Sequence, residues 1–176
     1  MTAKEFLNSL AKGKTDILQQ LLGILTETGS HYCLIGGLAV NAYVEPVVSL
    51  DVDIVVAVDS IQAVANTARS KKMKVEEFPY SINLSGSDSD LRIQVQTDPR
   101  YQSFIASATM QEVLGYEIKV ASLENVLQGK LWAFMDEARR RSKRQKDLAD
   151  ISRIIETYPE LTALLPQRVK DQLQDK

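Results

Sequence analysis

The stretch YCLIGGLAVNAYVEPVVSLDVDIVV, residues 32–56, decides the fold. Its two apolar segments, YCLI and DVDIVV, are typical of buried strands. Gly36 and Gly37 follow the first segment, and the apolar residues after them have helical spacing until Pro46 interrupts them. The order strand, Gly-Gly turn, helix and strand therefore predicts a sheet with a helix packed against it.

Two carboxylates interrupt the second strand. Asp51 and Asp53 are two residues apart, so their side chains point to the same face of the strand, about 7 Å apart. Carboxylates placed in this way repel each other unless a cation joins them, and such oxygen ligands suit Mg²⁺. Gly36 and Gly37 would let the backbone approach a phosphate closely. The combination predicts a site for a metal ion and a nucleotide.

The remaining elements predict an α/β (α+β) fold, with one mixed β-sheet flanked by helices and a helical C-terminal section. We expect a single domain, residues 1–176, with a sheet-containing core at 15–120 and C-terminal helices at 121–176. Strands are predicted at residues 31–35, 49–58, 74–84, 90–97 and 116–122, and helices at 15–28, 38–44, 60–72, 122–141, 143–157 and 158–173, with a further short helix within 99–115.

The composition is that of an ordinary soluble protein, with 44% apolar and 25% charged residues in 176. No apolar run approaches the roughly 20 residues of a membrane span, and the N-terminal residues lack the apolar segment of a signal peptide. The single cysteine, Cys33, excludes an internal disulfide and is expected to be a small buried apolar side chain. We therefore expect a cytoplasmic protein without a membrane partner.

Basic residues are concentrated in one segment, RRRSKRQK, at residues 139–146. Six of the 21 basic residues lie there, which leaves 15 basic against 23 acidic residues elsewhere. That balance argues against a broad nucleic-acid-binding surface. The segment is either a local site for phosphate or an acidic partner, or simply a solvated helix face.

Charged residues also interrupt the apolar faces of the two predicted helices that follow the last strand. Lys130 falls inside the stripe formed by Val126, Leu127, Leu131 and Phe134, so it either extends towards solvent or reaches a negatively charged site. On the next helix, Asp147 falls within the apolar arc and Asp150 at its edge. Either acid is a candidate partner for Lys130 or for a substrate, although Asp147 could instead complement the helix dipole.

Taken together, these motifs resemble the signature of the DNA polymerase beta-like nucleotidyltransferase superfamily over roughly residues 32–155. The similarity is closest to its small bacterial members, the antibiotic nucleotidyltransferases and abortive-infection toxins. It implies Mg²⁺-dependent transfer of a nucleoside monophosphate from an NTP to an acceptor, with pyrophosphate leaving. By this resemblance, the catalytic residues are Asp51, Asp53, Lys130 and Asp147, the nucleotide-binding residues are Gly36, Gly37, Ser49, Lys130 and Asp150, and the metal ligands are Asp51, Asp53 and Gln94.

The third metal ligand departs from the family's pattern. The third carboxylate usually comes from a neighbouring strand, here LRIQVQTD, whose alternation places Arg92, Gln94 and Gln96 on one face. The alternation leaves open whether Gln94 or Gln96 takes the third position, and either glutamine is neutral and a poor general base. The expectations are therefore a nucleotidyltransferase with an unknown acceptor (small molecule, tRNA or protein), a catalytically weakened nucleotide-binding or regulatory relative, or the toxin of a toxin–antitoxin pair with a small antitoxin-like partner.

Overall fold

The structure, a computed structural model, describes residues 1–174. The strands are β1 (Tyr32–Ile35), β2 (Asp51–Val56), β3 (Lys74–Phe78), β4 (Ser81–Ser85), β5 (Arg92–Gln96), β6 (Thr109–Val113) and β7 (Tyr116–Val120). The helices are α1 (Ala3–Leu10), α2 (Ile17–Glu27), α3 (Gly36–Val40), α4 (Ile61–Ser70), α5 (Leu123–Met135), α6 (Arg141–Thr157) and α7 (Gln167–Gln174), with 3₁₀ helices at Pro99–Ser107 and Pro159–Leu164.

The seven strands form one mixed sheet in the order β3-β4-β5-β2-β1-β7-β6. The central strand β2 pairs antiparallel with β1 and parallel with β5, and β1 pairs parallel with β7. This mixed sheet with surrounding helices confirms the predicted fold class. Because β2 has a neighbour on each side, Asp53 is flanked by Ile35 of β1 and Gln94 of β5, whereas Asp51 is paired with Arg92 of β5.

The sheet has different surroundings on its two faces. Val52 and Ile54 on β2 are buried, as are Ile93 and Val95 on β5, whereas the residues between them are partly or fully exposed. Helix α3 contacts β1, β2, α5 and α6, so the C-terminal helices reach the sheet beside the aspartates. One buried apolar cluster runs from Leu7 through the sheet to residues of the C-terminal section. None of the helices in residues 1–174 has the length and apolar character needed to cross a membrane.

Several predicted boundaries were wrong. The predicted strand at 74–84 is a hairpin of β3 and β4, because Pro79 and Tyr80 form a turn. The segment 99–115 contains the strand β6 after its 3₁₀ helix, and α5 ends at Met135 instead of continuing to residue 141. The glycine pair begins α3 rather than forming a turn before it, and α2 is capped by Asp16, whose carboxylate accepts a hydrogen bond of 2.9 Å from the Gln19 amide, rather than by Thr15.

Candidate functional site

A cavity of about 710 Å³ opens between the sheet and helices α5 and α6. This size is in the range of small-molecule sites in proteins. The strands β2 to β5 form one wall, and α3, α5 and α6 form another. All the residues singled out as site candidates from the sequence line the cavity: Gly36, Gly37, Ser49, Asp51, Asp53, Gln94, Lys130, Asp147 and Asp150.

Asp53 lies directly beneath the start of α3. It is paired with Ile35, the last residue of β1, so the chain turns into α3 immediately above its carboxyl group. Gly36 has a φ of +71°, which favours glycine, and a Cβ at Gly36 would come to 3.0 Å from the Cβ and Cγ atoms of Asp53. The requirement for glycine at this position therefore arises from the Asp53 side chain and from the backbone conformation together.

Two cations hold the Asp51 carboxylate. Arg92 Nε lies 3.0 Å from its Oδ1 atom, and Lys143 Nζ lies 3.1 Å from its Oδ2 atom. Arg92 comes from β5, where it is paired with Asp51, and Lys143 comes from the first turns of α6. The two ion pairs therefore connect β2 both to its neighbouring strand and to the C-terminal helices.

Gln94 is the residue of β5 that faces Asp53. The parallel register pairs Asp53 with Gln94, whereas Gln96 is paired with Val55 and accepts a hydrogen bond of 3.1 Å from the Asp98 amide. The alternation of the sequence allowed either Gln94 or Gln96 to lie beside Asp53, and the register shows that it is Gln94. No group of three carboxylate, histidine or cysteine side chains suited to a metal is present in residues 1–174.

The Asp53 carboxyl carries an unfavourable charge in this setting. Burial raises the pKa of Asp53 above its usual range and Asp51 adds to the effect, while Lys130, Arg139 and Lys143 act in the opposite direction. A carboxylate that is removed from water without enough positive charge around it favours its neutral form. Additional positive charge in the cavity would therefore stabilise the ionised Asp53.

Lys130 points into the protein rather than towards solvent. Its side chain is 10% exposed, and its Nζ atom lies 3.0 Å from Asp147 Oδ1 and 2.8 Å from Asp150 Oδ2. Burial lowers the pKa of Lys130, but the attraction of Asp150 and Asp147 outweighs this effect, so the pKa is raised and the ammonium stays charged. The lysine inside the apolar stripe of α5 thus joins α5 to α6 at the wall of the cavity.

Asp147 has a second cationic partner. Its Oδ2 atom is 2.7 Å from Arg139 Nε, and its side chain is only 2% exposed. Asp150 pairs with Arg153 as well, at 2.8 Å, and the Arg153 guanidinium also donates to the backbone carbonyl of Glu45. The acids of α6 therefore have structural partners on α5, on the segment between α5 and α6, and on α6 itself, and Arg153 extends this network to the loop before β2.

The basic segment 139–146 supplies site residues that the sequence did not identify individually. Arg139, Lys143 and Lys146 line the cavity, whereas Arg140 and Arg141 are exposed outside it. The concentration of charge was the available signal. Arg92 was also missed, because its place beside Asp51 depends on the register between β2 and β5.

Two further side chains have local explanations. The Ser49 hydroxyl accepts a hydrogen bond of 3.2 Å from the Asp51 amide, so it supports the start of β2 while lining the cavity. Cys33 is fully buried on β1, and burial raises the pKa of its thiol to about 12. A thiol with such a pKa is almost entirely protonated at neutral pH, which agrees with the expectation of a small buried apolar side chain.

The family follows from a sequence comparison. The family model described as "Nucleotidyl transferase AbiEii toxin, Type IV TA system" matches residues 21–175. The chain belongs to this family. No curated protein sequence matches it significantly.

Solved structures of nucleotidyltransferases have a similar fold. The antibiotic-resistance factor ANT(2'')-Ia has a TM-score of 0.58 at 13% identity, over 88% of this chain and 86% of that one. The lincosamide antibiotic adenylyltransferase LnuA has a TM-score of 0.56 at 15% identity, over 81% and 99%. An antigenic nucleotidyltransferase-like protein from Paracoccidioides brasiliensis has 0.51 at 18%, over 88% and 78%. The predicted superfamily is confirmed, and at these identities the structures are evidence for the fold.

The donor set of this AbiEii family member fits one divalent cation. Asp51 and Asp53 provide two carboxylates on one face of β2, and the Gln94 side chain provides a neutral oxygen from the strand beside them. Mg²⁺ typically takes one or two carboxylates and completes its coordination with water and substrate phosphates. A second ion would lack a third carboxylate in the described residues.

Proposed function

We propose that this chain transfers a nucleoside monophosphate from an NTP to an acceptor, which is a small molecule, tRNA or protein, in a Mg²⁺-dependent reaction. One observation carries the proposal: Asp51 and Asp53 line a cavity that is also lined by Gly36, Gly37 and the cations Lys130, Arg139 and Lys143. A cavity of this size with both carboxylates and cations at its wall suits a metal-bound triphosphate. Membership of a nucleotidyl transferase family supports the same reaction class.

Each group in the cavity has a role in this proposal. Asp51, Asp53 and Gln94 would hold Mg²⁺, which when bound supplies positive charge to the phosphate oxygens around the reacting phosphorus. Gly36 leaves room for the Asp53 side chain, and Gly37 adds no side chain to the cavity wall beside it. Lys143 and Arg139 would stabilise the negative charge of the leaving pyrophosphate, because both side chains lie at the cavity wall near the aspartates.

Lys130 acts in this proposal as a phosphate contact that its partners position. Asp147 holds Lys130 and Arg139 at once, and Asp150 fixes the second side of the Lys130 ammonium. The buried ion pairs restrict both cations to the cavity wall before substrate binds. Positioned charge of this kind is the main way in which proteins accelerate phosphoryl and nucleotidyl transfer.

The test is a thermal-shift experiment with ATP, GTP, CTP and UTP, each with and without Mg²⁺. Ligand at about 100 times its Kd adds about 2.7 kcal/mol of stability, a Tm rise of roughly 5–11 °C for a chain of this size. We expect a Mg²⁺-dependent rise that is lost in Asp51→Ala and Asp53→Ala. Asp59→Ala is the matched control, because Asp59 is exposed and hydrogen-bonds Ser60 outside the cavity. Equal shifts in all variants would refute the proposed site.

A second candidate function is nucleotide binding without efficient transfer. Gln94 favours it, because this neutral residue faces Asp53 where a third carboxylate would support a second metal. The variant Gln94→Asp separates the two functions. If wild type binds NTP but transfers nothing while Gln94→Asp transfers, the chain is a weakened relative; transfer by wild type rejects this candidate.

We propose that this chain is the toxin of a toxin–antitoxin pair and that it acts in the cytoplasm. The description of the matching family as a toxin of a type IV toxin–antitoxin system supports the first part of this proposal. Expression should then slow bacterial growth, and a small antitoxin-like partner encoded beside it should relieve the effect. Asp53→Ala expressed at the same level is the control. Equal growth with wild type and Asp53→Ala would contradict a toxic activity of this site.

A further inference from the structure

A tyrosine, Tyr101, lines the cavity beside the residues of the proposed nucleotide site. It belongs to the 3₁₀ helix Pro99–Ser107, which follows β5 and contacts β1 and β2. Tyr101 is only 7% exposed, so more than nine-tenths of its surface is buried. Most of the side chain therefore belongs to the packed interior, and a small part of it contributes to the cavity wall.

The Tyr101 hydroxyl has no hydrogen-bond partner among residues 1–174. The other tyrosines that are buried or half-buried, Tyr32, Tyr43, Tyr116 and Tyr158, all use their hydroxyls in hydrogen bonds within the protein. Buried tyrosine hydroxyls usually find such a partner, so this exception requires an explanation. The hydroxyl is not one of the side-chain atoms that the protein encloses completely without a partner, so a ligand in the cavity can reach it.

The ring of Tyr101 is held in place by its neighbours. It packs edge-to-face against Phe104 and Trp132, whose ring centroids lie 5.3 Å and 5.2 Å away. On α5, Gly129 lies against the same ring, and a Cβ atom there would be 3.4 Å from Tyr101 Cε1. A longer side chain at Gly129 would therefore meet the ring. Because these contacts restrict the ring before a ligand binds, the hydroxyl needs little further ordering to make a hydrogen bond.

The surroundings of the hydroxyl make it a hydrogen-bond donor next to charged groups. Burial raises the pKa of Tyr101, so the phenol keeps its proton at neutral pH. Four charged neighbours also act on this pKa. Asp98 and Arg100 pair with each other at 2.8 Å and do not line the cavity, whereas Asp53 and Arg139 line it together with Tyr101. A ligand in the cavity therefore meets the hydroxyl near one carboxylate and one guanidinium.

The chemistry of these two neighbours indicates which ligand atom the hydroxyl meets. In the proposed function, Asp53 holds the metal ion and Arg139 stabilises the charge of the pyrophosphate, so the triphosphate is the part of an NTP that lies near both. Phosphate oxygens are ionised acceptors, and hydrogen bonds to ionised acceptors are stronger than those between neutral groups. A phosphate oxygen is therefore the acceptor that best satisfies the unpaired hydroxyl.

We infer that Tyr101 is a nucleotide-binding residue and that its hydroxyl donates a hydrogen bond to a phosphate oxygen of the NTP. This inference rests on the proposed function. It adds an uncharged contact to a triphosphate site whose other proposed side-chain contacts, Lys130, Arg139 and Lys143, are cations. It also explains why the ring is packed firmly at the cavity wall while the hydroxyl has no partner in the described part of the chain.

The experiment measures binding by calorimetry with Mg²⁺ in the wild-type protein and in Tyr101→Phe. The probes are ATP, GTP, CTP, UTP and inorganic tripolyphosphate. Loss of one hydrogen bond to an ionised acceptor should raise the Kd of the NTP about tenfold. The Kd of tripolyphosphate, which has neither sugar nor base, should rise by a similar factor. Without ligand, the Tm of Tyr101→Phe should not fall, because the deleted hydroxyl has no hydrogen-bond partner in residues 1–174.

Tyr116→Phe is the matched control. The Tyr116 hydroxyl lies outside the cavity, donates to the Asp16 carboxylate at 3.0 Å and accepts a hydrogen bond of 3.1 Å from the Asn8 side chain. Its removal should lower the Tm by several degrees, because it leaves two polar groups without their partner. The Kd of the NTP should stay within about twofold of wild type, since a lost hydrogen bond affects binding only where the ligand takes part in it.

The possible results separate this inference from the proposed function. An NTP affinity that Tyr101→Phe leaves unchanged would refute the inference alone. A rise in the Kd of the NTP that tripolyphosphate does not share would assign the hydroxyl to the sugar or the base and would also overturn it. A Tm decrease as large as that of Tyr116→Phe would show that the Tyr101 hydroxyl has a structural partner, again against the inference. Absence of NTP binding by the wild-type protein would refute the proposed function itself, and the inference with it.

Discussion

Replacing Asp147 by alanine should destabilise the fold strongly, whether or not nucleotide binds. The carboxylate is buried and holds Lys130 at 3.0 Å and Arg139 at 2.7 Å. Removing one partner of a buried ion pair typically costs 3–5 kcal/mol. Lys130 keeps Asp150 at 2.8 Å, so we expect the lower end, about 3 kcal/mol, which corresponds to a Tm decrease of roughly 6–12 °C.

The assay is urea and thermal unfolding of the nucleotide-free protein, with two comparison variants. Asp150→Ala should cost less, because its side chain is 16% exposed and Lys130 retains the more deeply buried Asp147. Replacing the pair together, Lys130→Met with Asp147→Leu, should recover most of the lost stability, since apolar residues of similar size often replace buried ion pairs without loss. A cost below about 1 kcal/mol for Asp147→Ala would refute the reasoning, because exposed pairs contribute that little.

Three further predictions concern individual residues. Asp53→Asn should raise the metal-free Tm at pH 7–8. Because the pKa of Asp53 is raised in the folded state, the wild-type fold loses stability as the pH rises from the unfolded-state pKa through the folded-state pKa. In a series of unfolding experiments at different pH values, the stability advantage of the asparagine variant should therefore shrink towards pH 3. Gly36→Ala should lower stability by at least about 1–2 kcal/mol in urea unfolding, because its positive φ and the contact with Asp53 both oppose a side chain; a neutral effect would contradict this geometry. Cys33 should react with a thiol reagent at pH 8 only after unfolding, because it is fully buried and its pKa is raised to about 12; rapid labelling of the native protein would contradict its placement.

The centre of the fold could be predicted because its signals are local. The apolar runs on either side of Gly36 and the two-residue spacing of Asp51 and Asp53 define β1, α3 and β2 without information from the rest of the chain. Lys130 was identifiable for a similar reason, since a charge inside an apolar helical stripe needs a partner within the protein. Its partners Asp147 and Asp150 interrupt the next apolar face in the same way.

The sheet edges could not be predicted from periodicity alone. The strand β6 has the sequence TMQEV and is mostly exposed, so no alternation of buried and exposed residues marks it. The hairpin of β3 and β4 lies in a run without glycine, and its turn is formed by Pro79 and Tyr80, so the run resembles one continuous strand. Both segments depend on pairing with neighbouring strands more than on their own pattern.

Most of the missed site residues depend on contacts between distant segments. Arg92 meets Asp51 because β5 pairs with β2 in one particular register, and Lys143 meets the same carboxylate because α6 begins beside the sheet. A one-residue shift of β5 would turn Gln94 and Arg92 to the opposite face. The choice between Gln94 and Gln96 was likewise open until the register was known.

The most direct test of a metal-bound nucleotide between the sheet and the C-terminal helices is a crystal structure with Mn²⁺ and a non-hydrolysable NTP analogue. Mn²⁺ prefers the same oxygen ligands as Mg²⁺ and gives an anomalous signal that locates it. We predict one anomalous peak about 2.1 Å from a carboxylate oxygen of both Asp51 and Asp53, with the triphosphate against Gly36 and Lys143. A nucleotide bound elsewhere, or a peak that contacts neither aspartate, would contradict the account.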